Sequence, residues 1–101
     1  MQTKSYDVFL QEELRDPELA AAYLSAAMEE GSTEQLLLAL RAVAEANGGV
    51  AAVADKTQLN RQTMYKILSA EGNPTLTTLL AILQAIGITL TFTPQQKPAM
   101  S

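Results

Sequence analysis

The feature that most limits what this chain can become is its punctuation. Residues that accept hydrogen bonds from free helix N–H groups recur just ahead of apolar runs, and glycines recur just behind them. Asp7 can cap a short first helix bearing Phe9, Leu10 and Leu14. Asp16-Pro17-Glu18 is a stronger start, because aspartate accepts at an N-cap and proline fits the first helical position. That second helix would carry Leu19, Ala20, Tyr23, Leu24 and Ala27 on one face and stop at Gly31. Ser32 with Gln35 forms a capping box for a third helix, LLLALRAVAEA, which ends at Asn47-Gly48. A brief helix from about Val50 to Lys56 follows, Asn60 caps the next, and Thr75 caps LTTLLAILQAI, closed by Gly87. The sequence therefore predicts an all-α fold, a bundle of five to six helices.

One segment breaks this period. Residues 88–93, Ile-Thr-Leu-Thr-Phe-Thr, alternate apolar and β-branched polar side chains, the pattern of a half-buried strand. Pro94 would end it, and the tail from residue 94 to 101 is expected to be disordered. No second strand pattern occurs in the chain. A lone strand leaves a row of unpaired backbone groups. The economical partner is the same short C-terminal strand from a second copy, across a two-fold axis, giving a homodimer. The alternative is a strand lying on its own helices with a solvated edge.

With 101 residues, the chain has the length of one domain, and 48% hydrophobic residues suffice for a modest core. It contains no cysteine and no histidine, which removes disulfides, Cys/His metal sites, thiol nucleophiles and histidine acid/base chemistry together. The adjacent acids Glu12/Glu13 and Glu29/Glu30 diverge by about 100° on a helix and do not converge on a substrate. No cofactor, no metal and no enzymatic activity are expected. The opening MQTKSYDVFLQEEL carries acids where a signal peptide needs an apolar core, and no run approaches the roughly 18 apolar residues of a membrane span. The expectation is a cytoplasmic protein without a membrane partner.

The net charge of −4 is unevenly placed. Residues 1–47 hold three basic residues (Lys4, Arg15, Arg41) against nine acids, a net of −6. Residues 48–101 hold four basic residues (Lys56, Arg61, Lys66, Lys97) against two acids (Asp55, Glu71), a net of +2. A basic partner suits the first half and a polyanion suits the second. Helix surfaces that drew their charges without functional meaning are the plain alternative.

Within the second half, the stretch TQLNRQTMYKILS contains no acid at all. Residues 50–69 divide as helix, tight turn, helix. Ala54 is small where two crossing helices would meet, and Leu59 is apolar just after the turn. Met64, Ile67 and Leu68 fall at i, i+3 and i+4 on the inner face of the second helix. Arg61, Gln62, Tyr65, Lys66 and Ser69 then point outward. This is the arrangement of a helix-turn-helix, whose outer first turn enters the major groove. Arginine can fork onto guanine O6 and N7, glutamine onto adenine, and lysine or threonine onto guanine or phosphate. The candidate DNA-binding residues are Asn60, Arg61, Gln62, Thr63, Tyr65, Lys66 and Ser69. Tyr65 packs on the DNA backbone or covers the turn, and Gly48-Gly49 precede a helix N-terminus that suits a phosphate or simply turn the chain.

The stretch GNPTLTTLLAILQAIGI, with VAAVADKTQLNRQTMYKIL before it, resembles the Cro/C1-type (XRE) helix-turn-helix family over about residues 48–88. The resemblance departs from that family's pattern at Val50, where glutamine is usual, and at Gln58, where glycine is usual and which would have to bear a left-handed backbone at some strain. The first half, LRDPELAAAYLSAAMEEGSTEQLLLALRAVAEANGGVAAVA, resembles the probable addiction-module antidote proteins, which are HigA-like antitoxins. The matching residues are Asp16-Pro17-Glu18, Tyr23-Leu24, Glu30-Gly31, Ala39-Leu40 and Gly48-Gly49, and the resemblance extends from about residue 7 to 92. It implies a type II antitoxin that binds a basic RelE-like ribonuclease toxin, binds double-stranded operator DNA and represses its own operon. The alternative is a stand-alone helix-turn-helix transcriptional regulator without a toxin. The expected organisation is acidic N-terminal helices over residues 1–47 on a shared core, a DNA-binding region with the strand over 48–93, and a tail over 94–101.

Overall fold

The computed structural model describes residues 2–95, with side chains from Val8 onward. Among these, six helices form: α1 (Gln2–Glu13), α2 (Pro17–Glu29), α3 (Thr33–Ala46), α4 (Val50–Thr57), α5 (Arg61–Ile67) and α6 (Leu76–Ala85).

Most starts follow the caps read from the sequence. Asp16 accepts from the Glu18 N–H at 2.9 Å with Pro17 at the first helical position. Ser32 Oγ accepts from the Gln35 N–H at 3.3 Å. Asn60 and Thr75 cap α5 and α6, Thr75 Oγ1 accepting from the Thr78 N–H at 3.1 Å. Each of these bonds offsets part of the cost of orphan N–H groups, typically about 1 kcal/mol per cap. The start expected at Asp7 is corrected, since α1 already runs through it from Gln2.

The core gathers Leu14, Ala20, Leu24, Leu37, Leu40, Val43, Val50, Val53, Met64, Leu68, Ile82, Leu83 and Ile86, together with further alanines. It therefore draws on both halves of the chain. The long helix α3 is its centre, with α1, α2 and α4 packed on it and α5 and α6 packed on α4. The chain breaks sharply between α3 and α4, which meet at 94°. Asn47 locks that corner: its Nδ2 donates to Val43 O at 2.7 Å and to Leu14 O at 3.3 Å, tying the end of α1 to the end of α3. Two apolar assignments are corrected. Leu19 (45% exposed) and Phe9 (57%) lie at the surface, because the neighbouring helices cover the adjacent positions Ala20 and Leu10 instead.

Helices α4 and α6 end alike. The Leu59 N–H donates to Ala54 O and Gln58 N–H to Asp55 O; Ile88 N–H donates to Leu83 O and Gly87 N–H to Gln84 O. This is the Schellman pattern, which requires a left-handed residue just past the helix. Gly87 fills that role at φ 81° without a penalty, and Gln58 fills it at φ 62°. A non-glycine residue there costs roughly 1–2 kcal/mol, so the strain expected at Gln58 is present.

The C-terminal strand is not formed. Residues 88–95 carry no regular secondary structure. Ile88 spends its N–H capping α6, and no second extended segment among the described residues offers a ladder to the rest. Alternation alone does not bury these side chains: Leu90 is 44% and Phe92 91% exposed. They instead border an apolar groove with Leu24, Met28, Leu36, Leu79 and Leu83. The tail from residue 96 lies outside the described residues. No single helix among the described residues is long and apolar enough to cross a membrane.

Candidate nucleic-acid interface

The turn between α4 and α5 is three residues long, and each residue has a distinct task. Gln58 reverses the chain in the left-handed conformation. Leu59 packs against the core, and Asn60 starts α5 by accepting from the Gln62 N–H at 2.7 Å and the Thr63 N–H at 3.2 Å. At the approach of the two helices, Ala54 is fully buried, as is Met64 opposite in α5. Burying a side chain of that size stabilises by about 1.5–3 kcal/mol. Thr57 adds hydrogen bonds from Oγ1 to Val53 O and Ala54 O. The inner face of α5 is thus fixed by Met64 and Leu68, with Ile67 half-buried beside them.

That fixes what faces outward. Arg61, Gln62, Thr63, Tyr65 and Lys66 are all exposed and lie on one short helix. Asn60 is exposed too, but its side chain is engaged in the cap. Ser69 lies past the end of α5, half-buried, and its Oγ donates to Lys66 O at 2.7 Å, so its hydroxyl hydrogen serves the helix end. Seven candidates therefore share one surface, of which five have side chains free of backbone duties.

Two residues that the sequence did not single out join them. Asp55 of α4 reaches Arg61, with Arg61 Nη2 at 3.1 Å and Nε at 3.4 Å from its two carboxylate oxygens. Hydrogen bonding to Asp55, and then its charge, hold the Arg61 guanidinium above its ordinary pKa. The strip that is acid-free along the chain is not acid-free in space. Arg41 of α3 lies 5.2 Å from the centroid of the Tyr65 ring, within cation–π range, and also pairs with Glu45 at 3.7 Å. Tyr65 therefore supports a cation from the first half beside the second. No sequence signal links positions 41 and 65.

Gly48 and Gly49 take positive φ at the α3–α4 corner, and the Gly49 N–H donates to Ala44 O at 2.9 Å. They turn the chain at that corner. Among the described residues, no group of three or more acidic, cysteine or histidine side chains converges in a way that would hold a metal ion.

A family model described as "Probable addiction module antidote protein" matches residues 2–94. A Haemophilus influenzae protein, described as an uncharacterized protein, is 34% identical over 87 residues, covering 86% of this chain and 87% of that one. No solved structure matches. A match from the first turn of α1 to the end of the apolar segment after α6 takes in every element described above, and the chain belongs to the probable addiction module antidote protein family.

Proposed function

We propose that this protein is the antitoxin of a type II toxin–antitoxin module, HigA-like, with a Cro/C1-type helix-turn-helix formed by α4, the Gln58–Asn60 turn and α5. It binds operator DNA as a homodimer, represses its own operon, and neutralises a basic RelE-like ribonuclease toxin in the cytoplasm by binding rather than by catalysis. The observation that carries the DNA reading is the outward face of α5. Arg61, Gln62, Thr63 and Lys66 stand exposed on a helix whose opposite face is clamped by Met64 and Leu68. A rigid inner face with an exposed polar first turn is what major-groove reading requires. Family membership supports a toxin partner. The net of −6 on residues 1–47 supports a basic one. Such charge would act mainly on association rate, so capture should slow as salt rises.

The test is co-expression with the product of the neighbouring reading frame, expected to be a small basic protein, together with a mobility-shift assay on the upstream DNA. Relief of growth arrest and a shift requiring an inverted repeat are expected, with half-site centres about 34–36 Å apart or a multiple of it. A DNA shift without any neighbouring toxin would favour the stand-alone regulator.

The homodimer reading rests on the apolar segment after α6. Leu90 and Phe92 are exposed beside Met28 and Leu79, an apolar surface that a second copy would cover. Deleting residues 88–101 should leave monomer or aggregate in light scattering at micromolar concentration. A clean dimer from the truncated chain would move the interface onto other helices.

A further inference from the structure

Asp55 is placed where simple electrostatics disfavours it. It lies in the last turn of α4, where the carboxylate meets the negative end of the helix dipole. It also stands beside Arg61, on the surface proposed to meet phosphates, where a negative charge opposes binding. Nor does its ion pair anchor the fold, since both side chains are largely exposed, 63% for Arg61 and 60% for Asp55. The role that fits this position is orientation of its partner.

The geometry of the fork shows how. A guanidinium carries five N–H donors, four of which form two parallel pairs, one on a side edge and one on an end edge. Asp55 occupies the side edge, taking Nε–H at 3.4 Å and one hydrogen of Nη2 at 3.1 Å. The end edge, made by Nη1 and the remaining hydrogen of Nη2, has no hydrogen bond among the described residues. Two parallel donors on that edge match O6 and N7 of a guanine in the major groove. An unheld arginine at the same place would also reach phosphate oxygens, which carry no sequence information. The turn makes the pairing available: Gln58 in the left-handed conformation folds α5 back so that residues six apart meet side by side.

We propose that Asp55 is a positioning residue for DNA recognition, holding Arg61 by its side edge so that its end edge reads guanine. This rests on the proposed DNA-binding function. It makes Asp55 a determinant of specificity that lowers affinity for DNA in general.

The experiment is selection of bound duplexes from a randomised double-stranded library. It compares the full-length wild type with Asp55→Ala, Asp55→Asn, Asp55→Glu and Arg61→Ala, and titrates salt on one unrelated duplex. The wild type should enrich a guanine in each half-site, and Arg61→Ala should erase that preference. Asp55→Ala and Asp55→Asn should weaken the same preference roughly 10-fold, the scale of one well-placed fork. They should also bind the unrelated duplex more tightly, with a salt slope steeper by about 0.9 as Arg61 turns to a phosphate. Asp55→Glu should recover part of the guanine preference. Thermal stability should hold or rise in the alanine variant, because an unfavourable helix-end charge is removed. If Asp55→Ala keeps the guanine preference at full strictness, or weakens all sequences equally, the positioning role is wrong. If the wild type enriches no sequence at all, the DNA-binding reading itself fails and takes this inference with it.

Discussion

A protein carrying Arg61→Ala, Gln62→Ala and Lys66→Ala together is expected to lose operator binding while still relieving the growth arrest caused by its toxin. All three side chains are exposed on α5 and none belongs to the core, so the helix has no reason to unfold. Alanine is the strongest helix former, which makes a stability loss less expected still. Arg61 and Gln62 each have a base-reading group, and loss of one such contact weakens binding roughly 10- to 100-fold. Lys66 follows one turn later, where a phosphate contact would flatten the salt dependence by about 0.9 in slope. Removal of Arg61 has a second consequence, because it leaves Asp55 without its partner on the surface proposed to meet DNA. The effects at 61 and 62 are therefore not expected to add simply, and the triple variant should lose at least about 100-fold in a mobility-shift titration. Normal operator affinity in the triple variant would remove α5 from the interface. A variant that stays folded, loses DNA and also fails to neutralise the toxin would show that both partners share one surface.

Replacing Gly72 by alanine is expected to be among the most damaging single changes in the chain. Gly72 lies between α5 and α6, and a Cβ there would collide with the carbonyl oxygen of Ile67 while also crowding its carbonyl carbon and Cα. Both sides of that collision are fixed to backbone, so no rotamer change relieves it. Either the turn swings out, or the end of α5 moves and disturbs Leu68, which is fully buried directly after Ile67. Overpacking a tight site costs about 1–3 kcal/mol and occasionally more, and a rigid backbone contact belongs at the upper end. A loss of about 3 kcal/mol lowers the melting temperature of a domain this size by roughly 12–24 °C. Thermal unfolding followed by circular dichroism measures it, and a fall of less than about 5 °C would show the turn free to swing away. Since α5 carries the candidate interface, affinity should fall for every DNA sequence alike as the folded fraction drops. That pattern separates Gly72→Ala from Asp55→Ala, which changes the choice of sequence.

The helix count and most boundaries were legible because the signals that set them are local. Asp16, Ser32, Asn60 and Thr75 each bond an N–H two or three residues away, and Gly87 turns the chain at the residue it occupies. Such interactions depend on neighbours in sequence, so the sequence alone determined them. The outward set from Arg61 to Lys66 was legible for the same reason. Met64 and Leu68 at i and i+4 dictate which face of α5 is buried. Even the strain at Gln58 was readable, because the family that this stretch resembles usually has glycine at that turn position.

Tertiary structure decided everything that depends on distant partners. Leu19 and Ala20 are adjacent and diverge by about 100°; which of them is buried depends on how α2 packs on α3, and it is Ala20 that ends in the core. Residues 88–93 have the alternation of a strand, but a strand exists only through hydrogen bonds to another, and that pairing cannot be supplied by a single segment's own sequence. Asp55 meets Arg61 only once the Gln58 turn has folded α5 back onto α4. Arg41 meets Tyr65 only once α3, α4 and α5 share a core. Capping is a short-range equilibrium between a side chain and the next turn of backbone. Pairing across helices is set by packing, where buried apolar area fixes the relative positions of elements and charged side chains take the partners left within reach.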